Sequence, residues 1–251
     1  MSAQLSLAPS PFTTPDLIIS AHFSHRTVAL FAEFATIFIL IAEEEMNAFA
    51  RAVPYFSQWE TASMTLPVLE SGSSALLSDP LWHQSGAETV EEYARWAVNI
   101  CGMACLKMAL AARGEMHRTI DLARACTAFG GYVVNEADHS IKGLIYAPFV
   151  TFVGRAFGLK AETITNLPTT DIPDLLRRNT FFIASVNSQI RWPDREPPSR
   201  GGHLVLVTAA SPGTIRFHNP SGHDAQSQAD VVLPLPTFDR FFANRGVAII
   251  L

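Results

Sequence analysis

The hydrophobic period of the chain changes near residue 180, and this change constrains the fold more than any other feature. Before that point apolar residues recur at helical spacing, and after it they alternate or run continuously, as in strands. Helices therefore precede strands, an order that predicts an α+β domain with helices packed on an antiparallel sheet. The chain has 251 residues, of which 48% are hydrophobic and 16% charged, and this composition can bury a full core.

Capping residues and glycines predict where the elements begin and end. Thr89 with Glu92 resembles a capping box and predicts a short helix through Trp96. The clearest helix begins at Cys101 and ends near Gly114, a glycine cap. Further helices are predicted at 119–129, 144–157, 171–178 and 237–243, and strands at 181–186, 203–209, 214–219 and 246–251. Residues 63–89 are punctuated by Gly, Ser and Pro and predict an irregular excursion.

Residues 1–52 are predicted to form an N-terminal extension of strands and a helix, ahead of a main domain at 53–251. The most apolar stretch, 27–42, contains Glu33 and is shorter than the roughly 20 residues of a spanning helix. Buried strands are therefore favoured over a membrane span, and no signal-peptide pattern is expected. Two roles stay open for the extension: covering the sheet of the main domain, or forming a homodimer.

Charge and cysteine content exclude several classes of protein. The formal net charge of −5 is spread along the chain without a basic stripe, so neither nucleic acid nor a membrane surface is an expected partner. Three cysteines in a chain of this length do not make a disulfide framework. We expect a reducing, cytoplasmic compartment in which a thiol stays free.

Cys101 is the candidate nucleophile because it lies in the first turn of the clearest helix. Unpaired N–H groups and the helix dipole at that end favour a thiolate, which is the nucleophilic form. Gly102, as a candidate substrate-binding residue, leaves room for an incoming carbonyl. The alternative is that Cys101 is simply a small buried residue.

His203 and Asn219 are the candidate partners of Cys101. His203 opens a strand that is apolar on both faces, directly after Gly202, where a substrate backbone can approach closely. Asn219 follows 16 residues later at the end of the next strand, the separation expected for a hairpin. Its side-chain oxygen can hold one imidazole N–H and set the tautomer. The alternatives are a strand-end histidine and ordinary turn chemistry.

An oxyanion would be held by the Cys101 backbone N–H and a glutamine amide. Gln58 is the predicted glutamine, and Gln84 is the alternative.

These segments resemble one known family. The run CGMACLKM is similar to the nucleophile motif of the C39 peptidases, VPYFSQ to the start of their stand-alone domains, and GGHLVLVT followed by HNPSG to their histidine strand and polar turn. The resemblance covers about residues 53–251 and implies a papain-like fold that hydrolyses peptide bonds. Transporter-fused members have a Gln six residues before the cysteine, where this chain has Arg95, and Asp is more common than Asn at the third triad position.

The sequence therefore predicts a cysteine peptidase or amidohydrolase with a Cys101–His203–Asn219 triad, acting on a peptide or amide without a cofactor. Three alternatives remain: an acyl transferase or peptide cyclase that uses the same acyl-enzyme, a silent peptide-binding module, and a structural protein that dimerises through residues 1–52. A zinc site at Cys101 and Cys105 is not favoured, because no second cysteine pair follows.

Overall fold

The computed structural model describes residues 53–251, in which helices come first and most strands follow. The α-helices are α1 (Thr65–Ser71), α2 (Val90–Ala97), α3 (Cys101–Ala111), α4 (Thr119–Ala128), α5 (Tyr146–Phe157), α6 (Ile172–Leu176), α7 (Ala225–Gln228) and α8 (Leu235–Phe241). The strands are β1 (Val133–Val134), β2 (Ile141–Lys142), β3 (Lys160–Ile164), β4 (Phe181–Val186), β5 (His203–Ala210), β6 (Thr214–His218), β7 (Val231–Pro234) and β8 (Phe242–Ile250).

The longer strands form one antiparallel sheet in the order β3-β8-β4-β5-β6-β7, while β1 and β2 pair separately. β5 and β6 are consecutive in the chain and adjacent in the sheet, so they form a hairpin. This hairpin fixes the relative position of His203, at the start of β5, and Asn219, directly after β6.

Both faces of the central strands β4 and β5 are buried. On β4, Phe181 and Ile183 enter one core together with residues of α3, α4 and α5. Phe182 and Ala184 point to the opposite face and enter a second core with residues of α6 and α8. Successive strand side chains alternate between the two faces. The central strands of a sheet covered on both sides are therefore buried at every position and are mostly apolar. All positions of β4 and β5 are accordingly buried.

The structure confirms the predicted α+β class, with the Cys101 helix packed on an antiparallel sheet. The predicted helices and strands are present with small shifts at their ends. Thr89 caps α2 by accepting the Glu92 N–H at 3.1 Å. The Glu92 carboxylate, however, accepts the N–H of Glu88 rather than that of Thr89.

One expectation was wrong, and some short elements were not predicted. The segment 63–89 contains α1 and 3₁₀ turns at Gly72–Ser78 and Trp82–Ser85 rather than an irregular excursion. The edge strands β3 and β7 were not predicted because they are short and only partly buried, and their pairing with β8 and β6 defines them.

The predictions for residues 1–52 lie outside the described part of the chain, and the boundary at residue 53 stays a prediction. Within residues 53–251, none of the helices has the length and apolarity required to cross a bilayer.

Candidate active site

Cys101 occupies the one position of α3 that is not buried. Residues 102–111 are enclosed by the core, whereas Cys101 begins the helix beside the start of β5. No side chain caps the N-terminus of α3, so the first backbone N–H groups of the helix are left without a side-chain acceptor near Cys101. The predicted helix start at Cys101 is confirmed.

Burial nevertheless decides the protonation state of the Cys101 thiol. Desolvation raises its pKa to about 11, while contacts with the backbone of Leu204, Gly102 and Cys101 itself lower it by less. The residue as a whole is partly exposed, and desolvation is still the largest influence on the pKa of its thiol. Backbone contacts at the start of α3 therefore lower the pKa of the thiol, as predicted, but desolvation raises this pKa by more. In the substrate-free protein the thiol, and not the thiolate, is the favoured form.

The β5–β6 hairpin brings His203 and Asn219 together as predicted. Leu206 pairs with His218, and the same register continued past the paired residues places Ser221 across from His203. His203 Nε2 lies 2.9 Å from Asn219 Oδ1 and 3.1 Å from Ser221 Oγ.

The Asn219 amide sets the tautomer of His203. Its Oδ1 also accepts the backbone N–H of Ser221 at 3.1 Å, which identifies this atom as the oxygen of the amide. An amide oxygen only accepts, so His203 Nε2 carries the proton and donates it to Asn219. The other ring nitrogen, Nδ1, is then unprotonated and able to accept a proton.

A buried arginine contacts His203 through the Ser221 hydroxyl. Arg191 is 6% exposed, and its Nη2 donates to Ser221 Oγ at 2.6 Å. Burial lowers the pKa of Arg191 to about 10, so it remains a cation at neutral pH. The pKa of His203 is lowered to about 4, chiefly by burial and also by the Arg191 charge, while the Asn219 hydrogen bond acts in the opposite direction. His203 is therefore neutral at neutral pH, with Nδ1 free to accept a proton.

Cys101 and His203 face the same cavity, of about 380 Å³. Its lining is Cys101, Gly143, Leu144, Tyr146, Ser185, Gly202, His203, Leu204 and Arg245. Gly202 has a φ of 94° and no atom within 4 Å of where a Cβ would stand, so it presents open space to the cavity. A thiol, a neutral imidazole and an unobstructed backbone thus share one compartment.

Gly102 and the two glutamines do not line this cavity. A Cβ on Gly102 would lie 2.7 Å from Leu144 Cδ2 and 3.0 Å from Leu204 Cδ1, so glycine here permits close packing beneath the site. Gln58 is 4% exposed, and its Nε2 donates to the Ala97 carbonyl at 2.9 Å. Gln84 is exposed on a 3₁₀ turn.

The segment around Gln58 braces the turn that carries Asn219. Tyr55 Oη donates to the Asn219 carbonyl at 3.1 Å, and Ser57 Oγ and the Gln58 N–H donate to the Pro220 carbonyl at 3.0 and 2.8 Å. The VPYFSQ motif thus has a structural task at the site beyond any single catalytic role.

Sequence reasoning missed Ser221, Arg191, Tyr146, Ser185 and Arg245. Ser221 lies in the HNPSG motif, where hairpin register could have placed it opposite His203. The others come from distant segments, and no local pattern marks them.

The remaining cysteines are core residues. Cys105 and Cys126 are fully buried and free, and Cys105 Sγ lies 3.7 Å from the Leu204 carbonyl. Among residues 53–251, no group of three or more His, Cys, Asp or Glu side chains could hold a metal ion.

Solved structures that are similar to this chain include two proteases of transporters. The first is the peptidase domain of Streptococcus ComA, a bi-functional ABC transporter involved in a quorum-sensing pathway, with 13% identity, a TM-score of 0.42, and coverage of 61% of this chain and 92% of that chain. The second is a double glycine motif protease from an AMS/PCAT transporter in complex with the leader peptide, with 18% identity, a TM-score of 0.38, and coverage of 59% and 82% respectively. No family model and no curated protein matches the chain.

Proposed function

We propose that this protein is a cysteine peptidase or amidohydrolase that works through a Cys101–His203–Asn219 triad. One observation carries the proposal: Cys101 and His203 line one cavity while Asn219 holds the far nitrogen of the imidazole at 2.9 Å. A base must be neutral, correctly oriented and able to reach the proton of the nucleophile. The lowered pKa of His203 and its Nε2-protonated tautomer meet the first two requirements.

The reaction begins when the Cys101 sulfur bonds to the substrate carbonyl carbon and its proton moves to His203 Nδ1. When the tetrahedral adduct collapses, the carbon–nitrogen bond breaks and the leaving amine takes the proton from Nδ1, which leaves a thioester. Water then attacks the thioester, His203 accepts its proton and returns it to sulfur, and a carboxylic acid is released. Asn219 keeps Nε2–H oriented throughout, and its neutral oxygen stabilises the transient imidazolium.

The negative oxygen of the adduct would be held by the Cys101 N–H at the uncapped start of α3. The predicted second donor, Gln58, lies outside the cavity lining, so its amide would have to turn toward the cavity to reach the oxyanion. Gln58 Nε2 carries two hydrogens, of which the Ala97 carbonyl accepts one. The second would be free to donate to the oxyanion once the amide had turned. Gly202 would receive the substrate backbone at the open edge of the cavity.

If an amine replaces water in the second half, the same acyl-enzyme yields an acyl transferase or a peptide cyclase. The triad serves both reactions equally, so the acceptor decides between them. The thiol of Cys101 must stay reduced in order to react, and the predicted cytoplasmic location would keep it so.

Covalent trapping tests the proposal. The protein is incubated with a pool of short peptide thioesters, quenched in acid and examined by intact and peptide-level mass spectrometry. We expect an acyl adduct on Cys101 that Cys101→Ser and Cys101→Ala lack and that accumulates much more slowly in His203→Ala. Cys126→Ser is the matched control, because it removes a buried thiol outside the cavity. If Cys101 acylates no faster than Cys126, the chain is a silent binding module instead.

A separate experiment addresses residues 1–52 as a dimerising extension. Light scattering of the full chain and of residues 53–251 compares their masses in solution. The dimer prediction requires a dimer that becomes monomeric on removal, and an unchanged state contradicts it.

A further inference from the structure

One part of the cavity lining is polar and has a positive charge. Tyr146 begins α5, Ser185 lies in β4, and Arg245 lies in β8, and all three line the cavity that contains Cys101. Arg245 Nη2 and Ser185 Oγ lie 3.4 and 3.3 Å from the point where a Cβ on Gly201 would stand, so both side chains lie against the backbone of Gly201.

A β-bulge directs Arg245 toward the cavity. β4 and β8 pair regularly up to Ala184 and Gly246, but the next pair is Val186 with Phe242, so the β8 side contains extra residues. Within the bulge Asn244 has a φ of 54°, a left-handed conformation that Asn tolerates better than most residues. Asn244 is held there because its carbonyl accepts the Leu167 N–H at 2.9 Å and its Nδ2 donates to the Leu167 carbonyl at 2.8 Å. Bulges commonly re-aim a side chain beside an active site.

The charge of Arg245 has no carboxylate partner among the described residues. Arg200, on the neighbouring loop, is paired with Asp239 at 3.3 Å, whereas none of the ion pairs within residues 53–251 includes Arg245. The cavity lining contains no Asp or Glu. Tyr146 interacts with Ser185 and Arg245. Burial raises the pKa of Tyr146, and these two interactions lower it by less.

We infer that Arg245, with the hydroxyls of Tyr146 and Ser185, binds a substrate carboxylate beside the bond that Cys101 attacks. This inference rests on the proposed function and narrows its substrate class to peptides or amides with an anionic group next to the scissile carbonyl. Guanidinium and hydroxyl donors together match the two oxygens of a carboxylate. The carboxylate comes either from a peptide C-terminus or from an Asp or Glu side chain, since a cavity of about 380 Å³ holds it close to the thiol in both cases.

Alkylation of Cys101 tests the inference without any need for turnover. Iodoacetate and iodoacetamide differ in charge and little in size, so the ratio of their second-order rate constants at Cys101 reports attraction of an anion. We expect Arg245→Gln to lower this ratio about fivefold, the size of one solvent-accessible charge interaction. Arg245→Lys retains most of the ratio. Arg178→Gln is the matched control, because it removes an exposed arginine outside the cavity and leaves the ratio unchanged.

Protection experiments identify the source of the carboxylate. Ala-Ala, Ala-Ala amide and acetyl-Glu amide compete with iodoacetamide for access to Cys101. Stronger protection by Ala-Ala than by its amide assigns a C-terminal carboxylate, and stronger protection by acetyl-Glu amide assigns an acidic side chain. An Arg245→Gln ratio equal to that of the unmodified protein, or equal protection by charged and amidated peptides, overturns the inference. Failure of acyl trapping with a normal Arg245 effect would instead reject the proposed hydrolase and retain the anion site.

Discussion

The resting protonation state of the Cys101–His203 pair is the most informative quantity to measure. Many thiol nucleophiles are pictured as a thiolate beside an imidazolium, and the position of Cys101 at a helix start favours that form. Burial favours the opposite: it raises the pKa of Cys101 to about 11 and lowers that of His203 to about 4. We therefore predict a neutral thiol and a neutral imidazole in the substrate-free protein.

The magnitude follows from these two values. The difference between about 11 and about 4 is roughly seven pH units, and moving the proton from sulfur to imidazole costs about 10 kcal/mol before the charges attract each other. Opposite charges about 4 Å apart at an effective dielectric constant of 20 recover ~4 kcal/mol. A net cost of ~5 to 6 kcal/mol leaves the ion pair in about one molecule in ten thousand.

Ultraviolet difference spectroscopy measures this directly, because a thiolate absorbs in the far ultraviolet and a thiol does not. Spectra of the unmodified protein minus those of Cys101→Ser are recorded from about pH 5 to pH 9. The same pair of chains, unfolded at high pH, gives the amplitude of one thiolate. We expect less than a tenth of that amplitude across the range.

A thiolate signal near neutral pH that disappears in Cys101→Ser and in His203→Ala would refute the reasoning. It would mean that the helix start and the imidazole outweigh the desolvation of the sulfur. Cys126→Ser serves as the comparison, since burial also raises the pKa of Cys126, to about 12, and its thiol lies outside the cavity.

Three further predictions follow from the site. Asn219→Ala removes the 2.9 Å bond to His203 and should slow acylation of Cys101 about tenfold or more, while Asn219→Asp keeps an acceptor and most of the rate, as rapid-quench mass spectrometry would show. A Cβ on Gly222 would overlap the Ser227 carbonyl, so Gly222→Ala should lower the free energy of unfolding in urea by about 2 kcal/mol or more, whereas Gly213→Ala, with no neighbour within 4 Å, should change it little. Because the pKa of His203 falls from 6.5 to about 4 on folding, the unfolded chain binds the proton first as pH drops. Stability should then decline by up to about 3 kcal/mol from pH 6.5 to pH 4, and by less in His203→Gln; an identical decline in both would contradict this sign.

The neutral pair also clarifies what Arg191 does. Its buried charge, held through Ser221 behind His203, opposes formation of an imidazolium in the free protein. That arrangement suits a site in which proton transfer to His203 waits for substrate, because a bound carbonyl and a nearby anion change the electrostatics at that moment. A substrate carboxylate on Arg245 would be one such change.

The order of elements, the Cys101 helix and the β5–β6 hairpin were all predictable from the sequence, because they depend on local rules. Apolar period, glycine caps and turn residues act over a few positions, and the 16-residue spacing of His203 and Asn219 sufficed to place them on adjacent strands. The edge strands β3 and β7 were missed since their identity comes from backbone pairing with strands far along the chain.

Tertiary structure alone decided the electrostatics of the site. A thiol at a helix start has a lowered pKa in water, and its burial in the folded chain reverses the shift. Arg191 and Arg245 come to the site from segments without any motif, one through Ser221 and one through a bulge. Sequence thus determined which groups could react, because side-chain chemistry and local periodicity are properties of short segments. Desolvation and charge are sums over everything that surrounds a group, so the fold alone determined their protonation states and the charge that faces the substrate.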